Sequence, residues 1–193
     1  MKKNIRTIGI DDAAFSREKS TKTFVFGVVV RGNNLVEGVL RTEVLVDGLD
    51  ATEKIIEMIN RSKFKKQIKA IVLGSATIAA FNIINMVEIF QKTVIPIISI
   101  LHELPDNVEV KKALVHLPDW EKRLEMLMYN PTLEKIEFIN ESGRACKIYV
   151  QHLGFKDTNE VKDLLKNTTY TSCVPESLRL ADMIGQNFKD YIM

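Results

Sequence analysis

Cysteine and histidine are scarce in this chain, which has two cysteines, Cys146 and Cys173, and three histidines among 193 residues. The cysteines form no CxxC motif and the histidines have no metal-ligand spacing, so a structural zinc site is not expected. Two cysteines are also too few for the disulfide framework of a small secreted domain. We therefore expect neither a zinc site nor a disulfide framework, and we expect a reducing, cytoplasmic location.

Several other features are missing. Residues 1–3 lead into a mixed polar stretch rather than the apolar segment of a secretory signal. The most membrane-like segment, residues 71–90, contains polar side chains and a Gly-Ser break, so no membrane association is expected. No GxxxxGK, GxGxxG or GxSxG motif is present, which removes the commonest nucleotide-binding and hydrolase classes. The net charge of +2 neither requires nor excludes a nucleic-acid partner.

What is present indicates one globular domain spanning residues 1–193, since 46% of the residues are hydrophobic and no repeat or linker interrupts the chain. The apolar patterns predict a first strand at 8–10, a hairpin of strands at 23–30 and 35–46, and a helix ending near Phe64. A buried strand at 68–73, a helix capped by Ser75 and a strand at 93–101 follow. Pro96 places that last strand at an edge or a bulge.

The second half of the chain is predicted to contain helices at 111–116, 120–129, 159–166 and 176–188, with a hairpin of strands at 133–139 and 145–151. Three meandering strands followed by helix, strand, helix and strand give an α+β (α/β-type) mixed sheet. This is the strand order of the ribonuclease H-like fold.

Asp11 and Asp12 close the apolar first strand and are the most informative residues of the sequence. Carboxylates are almost never fully buried unless they are paired or bind a metal. A strand-end carboxylate followed by a β-meander is how a divalent-metal nuclease core begins. The alternative is an acidic loop or an Asx-turn with no chemical role.

Asp47 and Asp50 follow the third strand and have alternative structural explanations. Asp47 precedes Gly48 and is typical of a turn. Asp50, with Glu53 three residues later, resembles a capping box at the start of the next helix. Both lie where the end of the third strand comes close to the first strand, so either residue is a candidate ligand beside Asp11.

Four segments together resemble a mainly archaeal family, domain of unknown function 99, which is distantly related to endonuclease V. They are IGIDDAAF (8–15), the long segment 46–73, AAFNII with VIPII (79–84 and 94–98), and VPESLRLADMI (174–184). The resemblance implies a ribonuclease H-like fold with a carboxylate cluster that holds Mg²⁺ or Mn²⁺ and cleaves a phosphodiester in DNA or RNA. It implies Asp11 as the first metal ligand and Asp47 or Asp50 as the second, with Asp11 and Asp47 as the catalytic pair.

Gly74 is where this chain departs from the family pattern. The family carries Leu-Asp-Gly at the end of the strand 68–73, and this chain has Leu73-Gly74-Ser75. The resemblance therefore implies that a third carboxylate is missing, which weakens metal binding and in-line displacement. Asp12 is the remaining candidate to replace it. A nuclease of reduced activity and a non-catalytic nucleic-acid-binding or scaffold protein are the two hypotheses that follow.

Basic residues supply the candidate nucleic-acid contacts. Lys63, Lys65 and Lys66 follow the first predicted helix and form a phosphate-tracking patch, or else a solvated helix end whose cations complement the helix dipole. Arg179 has the geometry to bind a phosphate with two hydrogen bonds. It is equally placed to pair with Glu176 or Asp182 across one helical turn.

Overall fold

A seven-stranded mixed sheet forms the centre of the protein, which the computed structural model describes over residues 4–188. The elements in chain order are β1 (Arg6–Asp12), β2 (Lys22–Arg31), β3 (Leu35–Leu45), α1 (Ala51–Arg61), β4 (Ile68–Leu73), β5 (Thr77–Ile78), β6 (Asn82–Ile83), α2 (Met86–Thr93), β7 (Ile97–Leu101), α3 (Asn107–Leu114), α4 (Trp120–Tyr129), β8 (Glu134–Ile139), β9 (Ala145–Leu153), α5 (Thr158–Thr168) and α6 (Glu176–Phe188).

The strand order in the sheet is β3-β2-β1-β4-β7-β9-β8. Strands β1, β4 and β7 are parallel, whereas the other neighbouring pairs are antiparallel. Ile10 pairs with Leu73, so the carboxyl ends of β1 and β4 lie side by side. The predicted mixed sheet is confirmed, and the two strands that end in Asp11-Asp12 and Gly74 are neighbours.

Helices cover both faces of this sheet. Side chains of β1, β4 and β7, among them Ile8, Ile71 and Ile97, pack with Ile55 of α1 and Ile89 of α2 in one core cluster. A second cluster joins the other face to α5 and α6, through residues such as Val72, Ile98, Leu164 and Leu178. This explains why β4 is almost continuously apolar, since a parallel strand covered on both faces has no solvent side.

Helix α6 lies unusually close to β1. A Cβ built on Gly9 would lie 2.1 Å from the backbone nitrogen of Leu178, and a Cβ on Gly185 would lie 2.1 Å from the backbone oxygen of Asp12. Gly185 also accepts a hydrogen bond from the backbone nitrogen of Ala14 at 3.1 Å. The two missing side chains let the backbones of helix and strand meet, and this contact sets the position of α6 relative to the end of β1.

The prediction of a helix capped by Ser75 is wrong. Ser75 instead forms a local turn, because its Oγ accepts from the nitrogen of Thr77 at 2.9 Å and donates to the Thr77 oxygen at 2.6 Å. The small hairpin β5–β6 follows, and α2 begins only at Met86, where Asn85 accepts from the nitrogen of Glu88. The apolar residues at helical spacing therefore belong to two short strands, a loop and the start of a helix.

The prediction for 93–101 is partly corrected. Thr93 is the last residue of α2, Val94 caps that helix with a left-handed backbone (φ 60°), and β7 starts at Ile97. Pro96 thus precedes the strand, and β7 is a central strand rather than an edge. The other predicted elements are found, β4, α4 and α6 with the predicted ends and the rest with shifted ends, the largest shift being α3, which begins at Asn107 rather than at 111.

Although no disulfide framework was expected from the sequence, Cys146 and Cys173 form a disulfide, which removes the cysteine-based argument for a reducing location. Cys146 lies near the start of β9, and Cys173 lies in the segment that joins α5 to α6. Sequence spacing gave no sign of this pairing, since 27 residues separate the two cysteines and α5 lies between them. The bond connects the sheet to the segment just before α6.

Candidate functional site

A cavity of about 320 Å³ opens at the carboxyl ends of β1 and β4. Its apolar wall consists of Ile10, Leu73, Ile78 and Ile84, and its polar lining consists of Asp11, Asp12, Ser75 and Thr77 together with Gly74. Ligands of open α/β sheets bind outside the carboxyl ends of the strands. This cavity is therefore the candidate functional site.

Asp11 carries a largely buried carboxylate in this cavity. One oxygen, Oδ1, accepts a hydrogen bond from the backbone nitrogen of Asp12 at 3.0 Å. Burial, together with the negative charges of Asp12 and Asp182, raises the pKa of Asp11 from 3.8 to about 7. Within residues 4–188, no lysine, arginine or histidine forms an ion pair with Asp11 or Asp12. Among the described residues, no salt bridge therefore balances the negative charge of this site.

Asp12 holds a loop beside the cavity. Its Oδ2 accepts a hydrogen bond from the backbone nitrogen of Ala79 at 2.5 Å. Burial raises the pKa of Asp12, while the hydrogen bond from Ala79 partly lowers it. Ala79 and Ala80 have positive φ angles of 48° and 67°, a conformation that side-chain-bearing residues seldom adopt. The carboxylate of Asp12 is thus part of what stabilises this strained loop.

Asp182 on α6 is the third carboxylate close enough to influence the site, since its charge raises the pKa of both Asp11 and Asp12. From the sequence, Asp182 was predicted only as one of two ion-pair partners for Arg179. Its position depends on the close contact of α6 with β1 across Gly9 and Gly185, which no local pattern reveals. The PESLRLAD segment in which it lies was the available signal.

The raised pKa of Asp11 predicts a pH-dependent cost to stability. The folded state keeps the Asp11 proton up to about pH 7, whereas the unfolded chain releases it near 3.8, so stability falls as pH rises between these values. Without metal, we expect Asp11→Asn to match the wild type near pH 4 and to be more stable by roughly 2–4 kcal/mol at pH 8. Urea unfolding from pH 4 to 8 in the presence of a chelator measures this.

Glu121→Gln serves as the matched control, because Glu121 is an exposed carboxylate on α4. This substitution removes an exposed negative charge. The difference in stability between this variant and the wild type should therefore not grow with pH. A constant difference for Asp11→Asn between pH 4 and pH 8 would contradict the burial argument.

Asp47 and Asp50 have structural partners outside the cavity. The carboxylate of Asp47 accepts from the backbone nitrogen of Phe81 at 3.0 Å and pairs with Arg17 at 3.2 Å. Asp50 accepts from the backbone nitrogen of Leu45 at 3.2 Å and from the side chain of Asn82 at 2.7 Å. Asp50 occupies the N-cap position of α1 but makes no side-chain capping bond. Neither residue lines the cavity that contains Asp11, as far as the described part of the chain shows.

Gly74 faces open space in the same cavity. A Cβ at this position would lie 3.9 Å from Oδ2 of Asp11 and 4.0 Å from Cδ1 of Leu178, which are ordinary contacts. Glycine is therefore not required here by packing. A carboxylate at position 74 would lie close to Asp11, which is the arrangement that the resemblance to the family implies.

The predicted phosphate-binding residues do not gather around the carboxylates. Lys63, Lys65 and Lys66 precede β4, whereas the cavity lies at its far end, roughly 15–20 Å away along the strand. Lys63 lies over the ring of Phe64. Arg179 forms an ion pair with Glu176 at 2.7 Å, which is one of the two alternatives that the sequence left open.

Comparison with known proteins places the chain in a family. A family model described as Endonuclease dU matches residues 3–189. The chain belongs to the Endonuclease dU family. A UPF0215 protein from Methanosarcina barkeri is 36% identical over 185 residues, which cover 96% of this chain and 91% of the relative. One from Pyrococcus furiosus is 32% identical over 187 residues, covering 96% and 92%.

Two solved structures show how this Endonuclease dU family member relates to other folds. A crystal structure of a protein of unknown function from Archaeoglobus fulgidus has a TM-score of 0.80 and 32% identity, and the match covers 94% of this chain and 96% of that one. Ciona intestinalis endonuclease V, in complex with a 24mer DNA containing an inosine followed by a ribo-adenosine, has a TM-score of 0.62 and 13% identity, covering 98% and 87%. The predicted family relationship and the endonuclease V-like fold are both confirmed.

The donor set of this Endonuclease dU family member fits a weakly coordinated hard cation. Carboxylate oxygens suit Mg²⁺ and Mn²⁺, and Mg²⁺ commonly uses one or two protein carboxylates plus water and substrate phosphate. Asp11 and Asp12 supply two carboxylates that form no salt bridge with any side chain in the described part of the chain. Among residues 4–188, no three His, Cys, Asp or Glu side chains are arranged to hold a metal together. The residues therefore fit a two-carboxylate site and not a three-ligand cage.

Proposed function

We propose that the protein is a metal-dependent phosphodiester hydrolase that acts on nucleic acid containing a deaminated base. The observation that carries this proposal is the half-buried pair Asp11–Asp12, which lies at the carboxyl end of β1 beside that of β4 and forms no salt bridge with any described residue. The family description, Endonuclease dU, and the inosine-containing DNA bound by Ciona endonuclease V support this substrate class. Among residues 4–188, no helix is long and apolar enough to span a membrane.

Each residue of the cavity has a role in this proposal. Asp11 and Asp12 would hold Mg²⁺ or Mn²⁺, and the bound cation would offset charge on a phosphate oxygen and lower the pKa of a water molecule. Asp182 adds negative potential that favours binding of a cation. The apolar wall formed by Ile10 and Leu73 keeps bulk water away from one side of the carboxylates.

Calorimetric titration of Mn²⁺ at pH 8 tests the metal site directly. We expect saturable binding to the wild type at micromolar to sub-millimolar concentrations. Asp11→Asn removes a ligand charge and should weaken binding by at least about tenfold, or about 1.4 kcal/mol. Lys63→Met, which alters the opposite end of β4, is the control and should bind like the wild type.

Cleavage of oligonucleotides that contain one deoxyuridine or one inosine, compared with the unmodified sequence, then tests the substrate class. Cut product from the wild type with Mn²⁺, and none from Asp11→Asn or with a chelator, is the expected result. Absence of both Mn²⁺ binding and cleavage would overturn the proposal.

A second function, non-catalytic nucleic-acid binding or scaffolding on the same fold, is favoured by one observation. Position 74, where the family pattern has a carboxylate, is glycine, and no other described carboxylate takes that place beside Asp11. Binding of the same oligonucleotides, measured by fluorescence anisotropy, without cleavage under any metal condition would support this function.

A further inference from the structure

The α3–α4 arm, residues 107–129, extends from the protein between β7 and β8. It packs loosely, since only Leu114 and Arg123 are buried among its side chains. Exposed apolar residues, including Val108 and Met128, show that the arm is not held by a large apolar contact. The attachment of the arm therefore depends on a small number of specific interactions.

Arg123 is the main attachment and binds the backbone of two loops beside the candidate site. Its Nη1 donates to the carbonyl oxygens of Gly48 at 2.8 Å and Phe81 at 2.6 Å, and its Nη2 donates to that of Asp47 at 2.6 Å. The residue is 4% exposed, and no carboxylate in the described chain forms an ion pair with it. A buried charge of this kind is tolerated only when its hydrogen bonds are satisfied.

The loop that Arg123 contacts needs external support. Asp47, Ala79 and Ala80 all have positive φ angles, each of which costs of order 1–3 kcal/mol when the surroundings do not stabilise it. Asp47 and Ala79 are joined by a backbone hydrogen bond of 3.0 Å, and the nitrogen of Phe81 donates to the Asp47 carboxylate. The nitrogen of Ala79 in turn donates to Asp12. A continuous set of contacts thus runs from the arm to the carboxylate in the cavity.

We propose that Arg123 is a positioning residue through which the α3–α4 arm fixes the 79–81 loop and, through that loop, the carboxylate of Asp12. Detachment of Arg123 frees the strained loop and removes the hydrogen bond that orients Asp12. The part of this inference that concerns metal binding rests on the proposed function, whereas the part that concerns the loop does not.

Amide hydrogen exchange in Arg123→Met tests the loop, with Lys122→Met as the matched control on the exposed side of α4. We expect exchange at residues 47–48 and 79–81 to become at least tenfold faster, with β1 and β4 unchanged. Arg123→Lys keeps the charge but loses the fork of donors, and should give an intermediate rate. Unchanged exchange in the two loops, or equal acceleration throughout the protein, would overturn the inference.

Mn²⁺ titration of the same variants tests the link to Asp12. At least fivefold weaker binding to Arg123→Met than to Lys122→Met is expected, and partial recovery in Arg123→Lys separates positioning from general loss of structure. Equal affinity in the two methionine variants would overturn the link. If the wild type itself binds no Mn²⁺, the part of the inference that concerns metal binding is overturned, and the exchange experiment still decides whether Arg123 fixes the loop.

Discussion

Gly9→Ala is expected to destabilise the protein by about 4 kcal/mol or more, which is at the upper end of single-substitution effects. The added methyl group would lie 2.1 Å from the backbone nitrogen of Leu178 and from the carbonyl carbon of Ser177. Backbone atoms of a helix cannot rotate away as a side chain can, so α6 must move off β1. That movement exposes Leu178 and Ala181, which are almost fully buried, and breaks the buried hydrogen bond between Thr7 and Ser177.

Urea unfolding followed by circular dichroism measures this change, and Gly74→Ala is its matched control. Position 74 has ordinary space around a Cβ and no positive φ, so alanine there should leave the free energy of unfolding within about 1 kcal/mol of the wild type. Similar stabilities for the two alanine variants would show that α6 does not lie against β1 as described.

Gly74→Asp is expected to have the largest effect on metal binding, an increase in Mn²⁺ affinity of about tenfold or more. The Cβ of the new residue would lie 3.9 Å from Oδ2 of Asp11, and its carboxylate would add a third oxygen ligand to the pair formed by Asp11 and Asp12. Without metal, the same substitution should lower the melting temperature, because it adds a third negative charge beside the carboxylates of Asp11 and Asp12.

The decisive comparison is with Gly74→Asn, which has the same size without the charge. Calorimetry with Mn²⁺ should separate the two variants, and added Mn²⁺ should raise the melting temperature of Gly74→Asp more than that of the wild type. If Gly74→Asp and Gly74→Asn bind equally, position 74 does not belong to the metal site. Cleavage of deoxyuridine-containing DNA by Gly74→Asp but not by the wild type would favour the non-catalytic function for the natural chain.

Most of the fold could be predicted from local patterns because those patterns have local causes. The β-branched run of β2 and the apolar run of β4 predicted their strands, and both are found. The segment from 74 to 85 was misassigned, because its conformation depends on side chains far away in the sequence. Asp12 binds Ala79 and Asp47 binds Phe81, and these bonds outweigh the helical spacing of the apolar residues in this segment.

The candidate site was predictable only in part, for the same reason. Asp11 and Asp12 could be recognised because a strand brings its own last residues to the edge of the sheet. Asp182 is brought near the site by a helix contact made possible by two glycines, and Arg123 reaches the loops beside the site through the docking of a distant arm. Such contacts between remote segments have no signal in one sequence. Asp47 was predicted from the end of β3 as a ligand beside Asp11, but among the described residues it lies outside the cavity lining and bonds to Arg17 and Phe81.

The disulfide between Cys146 and Cys173 gives the chain a closed covalent ring that contains most of β9 and all of α5. A single backbone cut inside this ring, for example in the exposed residues that join β9 to α5, leaves two fragments that stay connected. The fragment carrying α6, and with it Asp182, is then still tethered to β9. Proteolysis at that connection would therefore release no separate C-terminal piece until a reductant opens the ring.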